Sequence, residues 1–146
     1  METQIENYID YLNNVKHASA NTVASYRRDL KKMYHFFADR QCPDIRDIRG
    51  TDLNAYVLDM ESHGMSTATI SRSIASIKSF FLYLLKQGVI AEDYADALKP
   101  PKIEKKVPET LSIEEINLLL DQPSRLTPKE IRDKAMLELL YATGMR

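Results

Sequence analysis

The sequence STATISRSIASIKSFFLYLLKQG, residues 66–88, decides the fold class. Its large apolar residues recur at spacings of three and four, which is the periodicity of an α-helix with one buried face. That face consists of Ile70, Ile74, Ile77, Phe81 and Leu84. Ser66 or Thr67 can cap the start of the helix, and Gly88 can close its end. The stretch therefore predicts a long amphipathic helix whose opposite side carries Thr69, Arg72, Ser76, Ser79 and Tyr83.

Three more amphipathic helices are predicted before this one, over residues 3–15, 21–39 and about 51–64. Ser19 or Asn21 can cap the second helix, and Thr51 or Asp52 the third. A loop separates the second and third helices, and one further helical turn is expected over residues 93–98. Their core-facing positions are Ile5, Tyr8, Ile9, Leu12, Val23, Tyr26, Leu30, Met33, Tyr34, Phe37, Leu53, Tyr56, Val57 and Met60. The first 98 residues thus predict an all-α bundle of four to five helices.

A linker is predicted over residues 99–110, where prolines and lysines gather without any packing pattern. Beyond it, Ser112 and Glu115 have the spacing of a capping box at the start of a helix. A last helix is expected to end at Gly144, with one buried face formed by Ile131, Ala135, Met136, Leu139 and Leu140. Residues 111–146 therefore predict two helices of an incomplete domain, whose apolar faces need a covering partner.

The composition excludes several classes of protein. The chain has 146 residues, of which 44% are hydrophobic, and a net charge of −1. No run approaches the roughly 18 apolar residues of a membrane span, and the acidic N-terminus does not resemble a signal peptide. Cys42 is the single cysteine, and no Cys/His cluster has the spacing of metal ligands. We therefore expect a cytoplasmic protein without a metal, a cofactor, a membrane anchor or a small-molecule substrate.

The charge is unevenly distributed between the helices. Residues 16–40 contain six basic residues against two aspartates, and residues 62–91 contain Arg72, Lys78 and Lys86 with no acid at all. If the second and fourth helices pack side by side, they form a positive face suited to a phosphate backbone. Serine and threonine around Arg72 can also donate to phosphate oxygens. The pattern predicts DNA binding, with Lys32 and Ser76 among the candidate contacts, although such residues can also cover a solvated helix.

The final stretch, RDKAMLELLYATGMR at residues 132–146, resembles the tyrosine recombinase (phage integrase) family, and its Xer-like members most closely. The N-terminal region resembles the SAM-like core-binding domain of the same family. The matching segments are Asn21-Thr22, residues 26–30 and residues 66–84, and the last of these includes Arg72 and the run from Phe80 to Leu84. The resemblance implies that the second and fourth helices cross double-stranded DNA. It also implies other recombinase protomers as partners of a full-length protein on DNA. The DNA contacts that it implies are Thr22, Arg27, Arg28, Thr67, Thr69, Arg72 and Lys78.

In that family a tyrosine attacks a DNA phosphodiester, and arginines stabilise the charge that develops in the transition state. The resemblance assigns the first catalytic arginine to Arg146. The family's His-x-x-Arg motif has no counterpart, because none of the histidines, at positions 17, 35 and 63, has an arginine three residues later. The catalytic lysine and the late tyrosine segment also have no counterpart. We therefore predict that this chain alone does not cleave DNA.

Three interpretations of the sequence stay open. The first is the N-terminal DNA-binding portion of a site-specific recombinase that acts in DNA integration and recombination. The second is a non-catalytic DNA-binding protein derived from such an enzyme. The third is a helical protein-interaction module that does not bind DNA. The third would be favoured if the chain did not bind DNA and if replacement of Arg28, Lys32 and Arg72 left the binding of its partner unchanged.

Overall fold

The computed structural model describes residues 1–42, 44–102, 109–124 and 126–145, and all the regular structure in these ranges is helical. The chain divides into two compact units, Met1–Glu104 and Lys105–Arg146. The prediction of an all-α fold is confirmed. None of the described helices combines the length and the apolar character needed to cross a lipid bilayer.

The first unit contains four helices. They are α1 (Glu2–Asn14), α2 (Ala20–Asp39), α3 (Gly50–Ser62) and α4 (Thr67–Lys86). Helix α4 is central, because it packs against each of the other three, while α1 also packs against α2. The predicted apolar stripe of α4 is buried throughout, and so is that of α1. Burying one such aromatic or aliphatic side chain contributes about 1.5–3 kcal/mol, so this shared core holds the helices together.

Helices α2 and α4 begin in the same way. Ser19 accepts a hydrogen bond from the Thr22 N–H at 3.2 Å, and Ser66 accepts one from the Thr69 N–H at 3.3 Å. Each serine hydroxyl also lies 2.9 Å from the hydroxyl of the same threonine. Ser19 and Ser66 are therefore the caps among the predicted alternatives.

The described part of the connection between α2 and α3 contributes to the core. Ile45 and Ile48 are buried in the core. Helix α3 begins one residue before Thr51, and Asp52 contributes from inside its first turn by accepting the Arg49 N–H at 2.8 Å. After α4 the chain returns to the core with Leu98, which is also buried. Ile45, Ile48 and Leu98 therefore complete the core from outside the helices, where the sequence has no helical period that predicts burial.

The second unit contains α5 (Ile113–Asp121) and α6 (Pro128–Thr143), which pack against each other. Both begin with a capping box, formed by Ser112 with Glu115 in α5 and by Thr127 with Glu130 in α6. Gly144 ends α6 in the left-handed conformation, with φ of 64°, as expected for a glycine at that position.

The prediction of a buried face on α6 is wrong for the structure as it stands. Ile131, Met136, Leu139 and Leu140 are all exposed, because two helices cannot enclose a core. The buried side chain of α6 is instead Lys134, which the sequence assigned to the polar side. Its Nζ donates to the carbonyl of Leu120 at 3.0 Å and to Asp121 at 3.2 Å, so it joins α6 to the C-terminal end of α5.

Candidate nucleic-acid interface

Helices α2 and α4 lie side by side in the first unit and run antiparallel. A groove lined by Thr22, Tyr26, Tyr83 and Lys86 brings the start of α2 beside the end of α4. Their first turns therefore lie at opposite ends of one shared face.

The acidic residues of this face are few. Helix α4 has none, and residues 20–38 of α2 contain a single one, Asp29, which is buried. Neither helix has an acid in its first turn, whereas α1, α3, α5 and α6 each do. The positive end of each helix dipole therefore stays uncompensated in α2 and α4, and such ends favour bound anions.

The buried Asp29 is paired with Arg72 across the two helices. Arg72 donates from Nε to Oδ2 and from Nη2 to Oδ1 of Asp29, each at 2.9 Å. Hydrogen bonding to Asp29 raises the pKa of Arg72. The aspartate side chain is 3% exposed and the arginine side chain 41%, so the pair extends from the core to the surface. The sequence placed Arg72 on the exposed side of α4 and did not anticipate that Asp29 would hold it.

Arg27 lies away from this face. Its Nη2 is 3.1 Å from Glu6 of α1, and the Nζ of Lys31 is 3.4 Å from the same carboxylate. Both cations therefore serve the α1–α2 contact and are partly neutralised there. Exposed ion pairs of this kind contribute at most about 1 kcal/mol, so a phosphate can compete with Glu6 for Arg27. Arg27 is nevertheless a weaker candidate for a DNA contact than Arg28.

Arg28 and Lys32 are exposed and lie one helical turn apart on α2. Thr67 is exposed in the first turn of α4, and the half-buried Thr22 and Thr69 occupy the capped starts of the two helices. Ala68 and Ala75 are also exposed on α4. Their small side chains allow the backbone of a ligand to approach the helix closely. Lys78 is half-buried and lies on the other flank of α4.

The prediction that Ser76 is an exposed contact is wrong. Ser76 is 0% exposed, and its hydroxyl donates to the Ser73 carbonyl at 2.8 Å. The helix buries a wider surface than its isoleucine stripe suggests, since α1 and α2 cover its hydroxyl side. Ser79 lies on the same side and accepts a 2.7 Å hydrogen bond from the Tyr8 hydroxyl. Tyr83 packs there against Tyr8 and Tyr11, with ring centroids 5.3 and 5.0 Å away.

Two tyrosines of the first unit are poor nucleophiles. Burial raises the pKa of Tyr8 to about 12, although its hydrogen bond to Ser79 acts in the opposite direction. Burial likewise raises the pKa of Tyr56 to about 12. Both hydroxyls therefore stay protonated near neutral pH. Within the described ranges, no three His, Cys, Asp or Glu side chains come together as metal ligands. Arg146, the catalytic arginine implied by the resemblance, lies outside the described residues.

Comparisons with known proteins agree with this architecture. The sequence matches the family described as "Phage integrase, N-terminal SAM-like domain" over residues 5–88. These residues include all of α3 and α4, all of α2 and most of α1. The chain belongs to the phage integrase family.

Relatives named as recombinases match the whole chain. It is 37% identical to the tyrosine recombinase XerC of Roseiflexus castenholzii over 147 residues, which are 100% of this chain and 47% of that protein. It is 37% identical to the tyrosine recombinase XerD of Staphylococcus haemolyticus, and 36% identical to that of Staphylococcus aureus, in each case over 100% of this chain and 50% of the relative. The chain thus spans about half the length of these curated relatives.

Proposed function

We propose that this chain is the DNA-binding N-terminal portion of a site-specific tyrosine recombinase, and that α2 and α4 form its DNA-binding face. Residues 1–98, which lie within the first unit, serve as the core-binding domain. Residues 99–110 serve as a linker, and residues 111–146 begin the catalytic domain. Action on DNA also accords with the cytoplasmic location expected from the sequence.

One observation carries this proposal: apart from Asp39, the exposed last residue of α2, the described face formed by α2 and α4 has no exposed acid. Its single interior acid, Asp29, is buried and paired with Arg72. This surface exposes Arg28, Lys32, the outer part of Arg72 and small side chains such as Ala68 and Ala75, with Leu82 and Asp39 towards the ends of the two helices. A surface with few acids, several cations and small residues suits a polyanion that approaches closely, although the chain as a whole is nearly neutral.

The proposed contacts divide into two kinds. Arg28, Lys32 and Lys78 supply charge, while Thr22, Thr67 and Thr69 bring hydroxyl groups to the unneutralised starts of α2 and α4. Because those starts lie at opposite ends of the face, their hydroxyl groups can contact different phosphates of the DNA. Arg27 is a secondary contact, since it must exchange its partner Glu6 for a phosphate.

DNA binding at two or more salt concentrations tests the proposal. A pool of random duplexes is incubated with the chain, and the bound fraction is quantified and sequenced. We expect salt-sensitive binding, and Arg28→Ala is expected to lower the slope of log K against log salt by about one because one phosphate contact is lost. No binding at low salt would refute the proposal.

Arg46→Ala is the matched control. Arg46 is also an exposed arginine, but it lies between α2 and α3 and forms a 2.7 Å ion pair with Asp44. Its loss changes the net charge by the same amount and leaves the face formed by α2 and α4 intact. Equal losses of affinity in the two variants would indicate general attraction to charge, without a defined face.

The proposal places catalysis in the whole recombinase, with Arg146 as its first catalytic arginine and with other protomers on the same DNA. This chain by itself is expected to bind without cleaving. A nicked suicide substrate, which traps a phosphotyrosyl intermediate, provides the test. A covalent protein–DNA adduct formed by the 146-residue chain would show that a tyrosine within it is the nucleophile.

A further inference from the structure

The pair formed by Asp29 and Arg72 leaves one edge of the guanidinium unused. Asp29 accepts from Nε and from Nη2, which is the side-on arrangement. A guanidinium carries five N–H groups in a fixed plane. The side-on pair uses two of them, so one N–H of Nη1 and the second N–H of Nη2 still point together along the end of the side chain. Among the described residues, Asp29 is the only hydrogen-bond partner of this guanidinium.

The burial of the two partners determines where that edge points. Asp29 is enclosed by the helix contact, whereas Arg72 is 41% exposed. The carboxylate therefore holds the inner edge of the guanidinium, and the outer edge is presented to solvent between α2 and α4. Lys32 follows Asp29 by three residues and is on the same side of α2, so the edge emerges within the proposed DNA-binding face.

We propose that Asp29 is a positioning residue that aims the outer edge of Arg72 at O6 and N7 of one guanine in the major groove. This inference rests on the proposed function, and it adds a specific base contact to a face otherwise defined by charge. Two parallel N–H donors match the two acceptors of guanine, and arginine makes this contact more often than any other specific base contact.

The charge of the pair favours a base over a phosphate. Asp29 and Arg72 together are nearly neutral, so the pair adds little attraction for the DNA backbone. Its contribution is directional, because the carboxylate restrains a side chain that otherwise has many rotamers. Arg28 and Lys32 have no comparable restraint in the described structure, and they fit phosphates better.

The first experiment uses the wild-type chain and needs no variant. Duplex selection is expected to enrich guanine at one position of the site. Replacing that guanine by 7-deazaguanine removes the N7 acceptor, and we expect binding to fall about tenfold. Salt-sensitive binding without any enriched guanine would overturn this inference and leave the proposed function standing. Absence of binding at low salt would overturn both.

The second experiment assigns the contact to the pair. Asp29→Asn keeps the shape of the side chain but removes its charge, and Arg72→Lys keeps the charge but removes the fork. In both variants the preference for guanine at that position is expected to fall about tenfold. The affinity of Asp29→Asn for random duplexes is expected to stay equal or to rise, because a negative charge is removed. A merely structural role of Asp29 would lower thermal stability with the guanine preference intact, and that result would overturn the inference. If Arg72→Lys weakens binding to all duplexes equally and keeps the preference for guanine, Arg72 contacts a phosphate. That result would overturn the inference as well.

Discussion

The two units of this chain are built from helices of similar amphipathic character, yet only one of them has a core. In the first unit α4 is surrounded by three helices, and its apolar stripe is fully enclosed. In the second unit α5 and α6 pack against each other, and most of their leucines stay exposed, namely Leu118, Leu119, Leu139 and Leu140. The difference teaches that a helical period identifies a face able to be buried, whereas the number of packed layers decides whether burial occurs.

The largest expected effect tests the enclosed core. Leu30 of α2 is 0% exposed, so Leu30→Ala removes packed side-chain atoms and leaves a cavity. We expect the first unit to lose about 3 kcal/mol of unfolding free energy, measured by chemical denaturation. Leu82→Ala is the control in the same unit, because Leu82 is exposed on α4 and should change stability by less than about 0.5 kcal/mol. Similar losses in both would contradict the described packing.

The next effect concerns the buried ion pair. Arg72→Ala leaves the carboxylate of Asp29 buried without its cation, at an expected cost of about 2 kcal/mol. The double variant Asp29→Ala with Arg72→Ala removes the stranded charge and should recover part of that loss. A thermal or denaturant double-mutant cycle measures the coupling. Additive losses would show that the two side chains do not interact in solution.

The sequence predicts the helices of this chain better than the contacts between them. Period and capping predicted all six helices of the described residues, because both are local properties of the chain. The same reasoning placed Ser76 at the surface, because periodicity alone does not reveal that α4 is packed on more than one side. It also did not anticipate the partner of Arg72, since Asp29 lies 43 residues earlier and only the tertiary fold brings the two together.

Lys134 and the two connecting isoleucines were missed for a related reason. Lysine is almost never buried, so its position on α6 predicts exposure, and only the nearby end of α5 supplies the carbonyl that accepts its hydrogen bond. Ile45 and Ile48 occur in a loop without helical period, although their apolar character was visible in the sequence. The DNA contacts named from the resemblance stay predictions, and the structure refines them by separating exposed from paired side chains.

An alkaline limit to stability is expected from the core of the first unit. Tyr8 and Tyr56 have a pKa of about 12 in the folded chain, above the ordinary value of 10.0. A raised pKa means that the folded state favours the protonated hydroxyl, so stability is fully present below pH 10 and is lost as pH rises towards 12. The loss is about 1 kcal/mol for each tyrosine by pH 11.

Melting temperatures measured between pH 8 and pH 11 check this expectation. Tyr8→Phe removes one ionisable group, so its stability should decline less steeply above pH 10 than that of the wild type. The variant is expected to be less stable at pH 8, because the hydrogen bond to Ser79 is lost. Parallel curves for the two proteins would mean that Tyr8 titrates normally in the folded state.

Among the described residues of the second unit, the buried side chain is that of Lys134, and its contacts are polar. Lys134→Met keeps an unbranched side chain, one atom shorter, but removes the hydrogen bonds to Leu120 and Asp121. We expect the C-terminal turn of α5 to lose about 1 kcal/mol of protection, measured by amide hydrogen exchange. Amides of α4 provide an internal control in the same sample. Unchanged protection in α5 would show that the lysine does not hold the two helices together.

The smallest effect is expected for a leucine-to-alanine substitution on the exposed face of α6. Leu139 of α6 is 54% exposed, so Leu139→Ala should alter unfolding free energy by less than about 0.5 kcal/mol, against about 3 kcal/mol for Leu30→Ala. Alanine also favours the helix, which further reduces any cost. Amide exchange in α6 measures the change. A loss above about 1 kcal/mol would mean that the face of α6 is covered in solution. Repeating the measurement at a tenfold lower protein concentration would then separate covering by a second copy, which weakens on dilution, from covering within one chain, which does not.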